Sequence, residues 1–129
     1  MKKHKKIIVD YLKSKIQNLE AVIIFGSFAN NLANKDSDID IAFLCKDKIS
    51  NIKRWQLQEE LASTLNRNVD LVDLESANEV FKFQIVSQGM VIYAACRQSL
   101  ELYLDKIYTI YLQLNDDRKA ILDDIRNGV

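Results

Sequence analysis

The sequence contains no proline, only three glycines, two cysteines and one histidine in 129 residues. No stretch is rich in proline or glycine and no repeat recurs at 20 to 50 residues, so linkers and solenoid units are excluded and one globular domain over 1–129 is expected. His4, the single histidine, sits among lysines, which argues against histidine-based acid–base chemistry and against a zinc site. Cys45 and Cys96 lack metal-ligand spacing and are predicted to be reduced, packed thiols. No hydrophobic run approaches the ~20 residues that span a bilayer, the longest being Met90 to Cys96. The start, MKKHKK, lacks the apolar stretch of a secretion signal, so a cytoplasmic protein with no membrane partner is expected. An excess of one charge is missing too: eighteen basic residues balance eighteen acidic ones, which disfavours direct nucleic-acid binding.

What is present is a regular alternation of apolar patterns. Ile8, Leu12, Ile16 and Leu19 recur at helical spacing and predict a first helix over 7–19. Ala21–Phe25 is a short β-branched run with the character of a buried strand, and Asp38–Leu44 alternates as a second strand. A helix over 52–65 is predicted with Ile52, Trp55, Ala62 and Leu65 facing the core, stopped by Asn66-Arg67-Asn68. A strand over 69–74 follows, then a helix over 76–88 closed by a left-handed Gly89, and a strand over 90–95. From Arg97 the stripe of Leu100, Tyr103, Leu104, Ile107, Tyr108, Tyr111 and Leu114 predicts a long C-terminal helix that packs on the sheet, broken at Asn115-Asp116-Asp117 with a short helix beyond, ending near Gly128. The expected architecture is α/β (α+β): a small mixed sheet of four to five strands flanked by helices, with a core at about 7–95 and a helical segment at 97–127.

The chemistry concentrates in FGSFANNLANKDSDIDIAFL, residues 25–44. Asp38 and Asp40 lie two apart on a predicted strand, so both carboxylates leave one face, roughly two rises of ~3.3 Å apart. Two carboxylates that close repel unless a cation lies between them, and an oxygen-only donor set suits a hard ion such as Mg²⁺. Asp36 shares their parity but precedes the strand and is left outside the site. Gly26-Ser27, ending the first strand, permits a sharp turn and a close approach, and its amides and hydroxyl suit an anion. Alone, either pattern is common. Apolar strand, Gly-Ser, ten residues and Asp-x-Asp on a second strand together set a phosphate cradle opposite a metal pair.

That combination, with Val69-Asp70-Leu71-Val72-Asp73-Leu74 downstream, resembles the signature of the DNA polymerase β-like nucleotidyltransferases. Among them the chain is similar to the minimal MntA-type antitoxins, adenylyltransferases encoded beside a HEPN-domain toxin; YLDKIYTIYLQL has a similar character to their tails, and the likeness runs from about Ala21 to about Tyr111. The resemblance implies a nucleotidyltransferase fold. It implies that Gly26 and Ser27 bind the triphosphate of ATP, that Asp38 and Asp40 ligate two Mg²⁺ ions, and that Asp70 is the third carboxylate, a base or metal bridge for the acceptor. Asp70 and Asp73 are three apart and face opposite ways in a regular strand, so only one joins the site, and Asp73 is expected to end the strand or cap the next helix. The implied acceptor is a tyrosine hydroxyl of the partner HEPN toxin. Two alternatives stand beside it, a small-molecule transferase of the aminoglycoside type and a non-catalytic antitoxin acting by binding.

One departure concerns Phe28. Many relatives carry arginine directly after Gly-Ser, and here Lys35 is the candidate replacement. Arg54 and Lys82 are further candidate phosphate contacts, although a charge on a helix is more commonly a solvated face.

Overall fold

The computed structural model describes residues 2–29 and 37–126. The chain runs α1 (Lys2–Lys15), β1 (Leu19–Phe25), a 3₁₀ turn (Gly26–Phe28), β2 (Ile39–Cys45), α2 (Asn51–Leu65), β3 (Val69–Asp73), a second 3₁₀ turn (Leu74–Ser76), α3 (Glu79–Gln88), β4 (Met90–Ala94) and α4 (Arg97–Arg126). The four strands form one mixed sheet in the order β3-β2-β1-β4. β1 is antiparallel to both β2 and β4, and the β2–α2–β3 crossover makes β3 parallel to β2.

Alternation along the strands divides the core. Val22, Ile24, Ile39, Ile41, Phe43 and Leu71 pack under Ile8 and Leu12 of α1 and Leu57, Leu61 and Leu65 of α2. Ala21, Ile23, Ala42 and Leu44 face the other way, against Ile85 of α3 and Leu100 of α4. Asp40 shares parity with Ala42, so its carboxylate lies on the α3 side.

Several sequence expectations need correction. α1 ends at Lys15, and Leu19 already belongs to β1. Helix α2 buries Leu57, Leu61 and Leu65, whereas Ile52 is 73% and Trp55 56% exposed. Its rotation is set by the sheet edge: Gln58 Oε1 accepts from the Leu71 N–H at 2.9 Å, and Arg54 Nη1 donates to the Leu71 carbonyl at 2.8 Å. α2 thereby satisfies edge-strand groups that would otherwise stay open, and turns Trp55 outward. Ser76 belongs to a 3₁₀ turn, and α3 starts at Glu79, capped by Asn78.

Gly89 is not left-handed, with φ −81°. It is glycine because a Cβ there would meet the Ile85 carbonyl at 2.4 Å and Ile23 Cγ2 at 2.5 Å. The left-handed helix cap is Asn66, φ 53°, after α2. α4 continues unbroken through Asn115-Asp116-Asp117 to Arg126; on an exposed face their weak helix propensity costs ~0.7 kcal/mol or less each, too little to end a long helix. Gly128 lies outside the described residues. The stripe of α4 divides: Leu100, Tyr103 and Leu104 pack on the sheet as expected, whereas Tyr111 and Tyr108 pack on α3, Phe83 stacking on Tyr111 at 3.7 Å and meeting Tyr108 edge-on. Cys45 packs against the core as expected, but Cys96 is exposed. Among the described residues no helix is long and apolar enough to cross a membrane.

Candidate active site

β1 ends at Phe25, and Gly26 turns the chain with φ +69°, a conformation that L side chains rarely adopt. A second constraint acts there: a Cβ on Gly26 would lie 2.2 Å from Asp40 Oδ2. The Asp40 carboxylate therefore rests against the bare Cα of the Gly-Ser turn. Phe25 pairs with Asp40 across β1–β2, and Asp40 pairs with Asp70 across β2–β3. Turn, first carboxylate and second carboxylate thus follow one another across three adjacent strands.

Asp38 lies one position before β2 and is exposed, as is Asp70, while Asp40 is half-buried. Burial pushes the Asp40 carboxyl above the usual carboxylate range, and the charges of Asp70 and then Asp38 push it further. Among the described residues the neighbouring charges that act on Asp40 are both negative, so the carboxylates repel one another. Among the described residues no three acidic, histidine or cysteine side chains already converge as a metal cage. The electrostatics and the oxygen-only donors nevertheless fit a hard divalent cation, which would relieve the repulsion.

Asp73 is occupied elsewhere. Its Oδ1 accepts from the Glu75 N–H at 3.2 Å and its Oδ2 from Ser76 Oγ at 3.0 Å, so it caps the turn after β3 as expected. Ser27 lies in the 3₁₀ turn beside Gly26. Lys35 and Asp36 lie outside the described residues. Arg54 holds the β3 edge, as described, and is no solvated charge. Nor is Lys82, which is buried and 3.7 Å from Glu79. A cavity lined by Leu19, Leu44, Cys96 and Leu100 lies at the opposite end of the sheet and includes none of these groups.

Phe28 is where the structure adds a residue that sequence reasoning missed. Its ring packs against the α1–α2 core, and the Arg67 guanidinium lies 5.0 Å from the ring centroid. Arg67 Nη1 also donates to the Ser37 carbonyl at 3.2 Å. Arg67, from the α2–β3 connection, thereby ties Phe28 of the Gly-Ser turn to Ser37 at the start of β2. The only sequence signal was the polar Asn66-Arg67-Asn68, legible as a helix stop and nothing more.

Four mixed strands, a Gly-Ser turn against Asp40 and an in-register Asp40–Asp70 pair define a nucleotidyltransferase of the polymerase β type. Residues 6–98 match the "Polymerase beta, Nucleotidyltransferase" family, and the chain belongs to it. It is 41% identical over 118 residues to the protein adenylyltransferase MntA of Shewanella oneidensis, covering 92% of this chain and 84% of that one. Its fold matches a chain in a crystal structure of a toxin–antitoxin with AMP-PNP, with a TM-score of 0.85 and 39% identity over 95% of this chain and 98% of that one. It also matches a chain in a complex of a tri-AMPylated Shewanella oneidensis HEPN toxin with MNT antitoxin, with a TM-score of 0.81 and 38% identity over 97% and 98% of the two chains.

Proposed function

We propose that this nucleotidyltransferase moves AMP from ATP to a tyrosine hydroxyl of a HEPN-type toxin encoded by a neighbouring gene, and so acts as that toxin's antitoxin in the cytoplasm. The observation that carries the reading is the alignment of Gly26, Asp40 and Asp70 on adjacent strands, with the half-buried Asp40 carboxylate between the Gly-Ser turn and Asp70. The names of the similar proteins support the choice of AMP and of the partner. All 129 residues form the one domain that does this.

Gly26 and Ser27 bind the triphosphate, with amides at the turn and the serine hydroxyl facing an anion. Lys35 is a further phosphate contact. Asp38, Asp40 and Asp70 would hold two Mg²⁺ ions, which when bound neutralise phosphate charge and lower the pKa of an acceptor hydroxyl. Asp70, exposed at the outer strand, takes the proton of that hydroxyl. The hydroxyl oxygen bonds to the α-phosphorus as the bond to the β-phosphate bridging oxygen breaks, and pyrophosphate departs with the bonding pair. Arg67, through Phe28 and Ser37, keeps the turn and the carboxylate strand in register.

The test is to incubate the protein with the neighbouring HEPN protein, Mg²⁺ and ATP, and weigh the partner. A gain of one or more AMP units is expected, and its loss in the double variant Asp38→Ala, Asp40→Ala. Toxin neutralisation that survives the double substitution without any gain in mass would instead establish a protein that acts by binding.

A further inference from the structure

Gly26, Asp40 and Asp70 occupy successive strands, and β3 is the last strand on that side of the sheet. If phosphates lie over Gly26, a second reactant can reach Asp70 without crossing them from beyond β3. A groove lies there, lined by Asp70, Val72, Ala77 and Phe81, with Arg54, Asp73 and Ser76 along its length. Most of its polar groups already serve the fold. Arg54 donates to the Leu71 carbonyl, and Asp73 accepts from both Ser76 and the Glu75 amide. Asp70 is the carboxylate left facing this space, beside an apolar wall.

Phe81 is held for this position from two sides. Its N–H donates to Asn78 Oδ1 at 2.8 Å in the cap of α3, and its ring meets Phe25 edge-on, with centroids 6.0 Å apart and planes at 80°. Phe25 directly precedes Gly26, so the same ring touches the base of the phosphate turn and the groove beside Asp70. With its edge contact satisfied and 36% of its surface still open, Phe81 presents an aromatic surface to whatever enters.

We infer that this groove receives the acceptor, a phenolic side chain displayed on another protein, and that Phe81 selects an aromatic over an aliphatic hydroxyl by packing against the incoming ring; this rests on the AMP transfer proposed above. A phenol matches both halves of the groove, its ring on Phe81, Val72 and Ala77 and its hydroxyl at Asp70. A serine hydroxyl reaching Asp70 leaves the apolar wall uncovered.

The experiment measures AMP transfer from Mg-ATP to the HEPN partner, varying each substrate in turn. Phe81→Ala should lower kcat/KM for the partner by about 10- to 100-fold, the effect of losing one aromatic contact and its buried area, while KM for ATP moves less than about twofold. Phe81→Tyr should restore most of the loss. Because Phe81 also packs on Phe25, Ala77→Leu serves as a second variant, filling the groove with no core contact removed, and it should impair the partner's KM alike. A partner with serine at its modified tyrosine should be a poor substrate for the wild type. Normal kinetics toward the partner in both variants, or equal use of the serine partner, would overturn the assignment. No transfer by the wild type to any partner hydroxyl would overturn the underlying reaction instead.

Discussion

Replacing Gly26 by alanine perturbs the site at a known place and by a calculable amount. The φ of +69° costs an L residue roughly 1–2 kcal/mol. The new Cβ would stand 2.2 Å from Asp40 Oδ2, so the carboxylate must retreat by about 1 Å to reach ordinary contact. A carboxylate at the end of a side chain can move, so the clash adds modestly to stability loss and the total should be about 1–3 kcal/mol, a few degrees per kcal/mol in Tm. The effect on rate should be larger than the effect on stability. A 1 Å misplacement of a reacting constellation costs on the order of 100-fold, and Asp40 is the carboxylate between the phosphate turn and Asp70. Thermal melts and the rate of AMP transfer to the HEPN partner, measured well below the variant's Tm, separate the two effects. A folded Gly26→Ala protein with transfer within about threefold of wild type would refute the reasoning, since Asp40 would then have moved without consequence.

Two further substitutions probe the electrostatics and the packing. Asp40→Asn should raise Tm near neutral pH without added divalent cation, because the fold disfavours ionised Asp40 through burial and the charges of Asp70 and Asp38. A carboxyl whose pKa is raised on folding contributes stability below the unfolded value, about 4, and loses it as pH rises through the folded value, so the variant's advantage should vanish in acid. Melts from about pH 4 to 7 check this, and Mg²⁺ should stabilise the wild type but not Asp40→Asn. Tyr103→Phe removes a hydroxyl that donates to Glu75 Oε2 at 2.5 Å and fastens the turn after β3 to α4; it should cost about 1 kcal/mol by denaturant unfolding and leave KM for ATP unchanged.

The site was legible where local chemistry fixes it. Gly26, Ser27, Asp38 and Asp40 stand in one short segment, and the structure rests Asp40 against Gly26 while Asp38 lies one position before β2. Asp70 was separable from Asp73 by parity, and the structure gives Asp73 a capping task. What could not be read depends on partners distant in sequence. The rotation of α2 follows from two side chains reaching the backbone of Leu71, which no apolar period encodes, so Trp55 and Ile52 were turned inward in error. Gly89 was assigned a left-handed turn, whereas its need for space arises from the Ile85 carbonyl and from Ile23 on β1. Arg67 reaches Phe28 from the far side of the β2–α2–β3 crossover, a contact that neither residue's neighbours in sequence announce.

The most direct measurement of the central claim is the intact mass of the HEPN partner after incubation with Mg-ATP and either wild type or Asp70→Asn. The account predicts addition of AMP by the wild type and a rate lower by about 100-fold or more in Asp70→Asn, with ATP still bound. Labelling by Asp70→Asn at the wild-type rate would contradict it, because the carboxylate aligned with Asp40 would then have no part in the transfer.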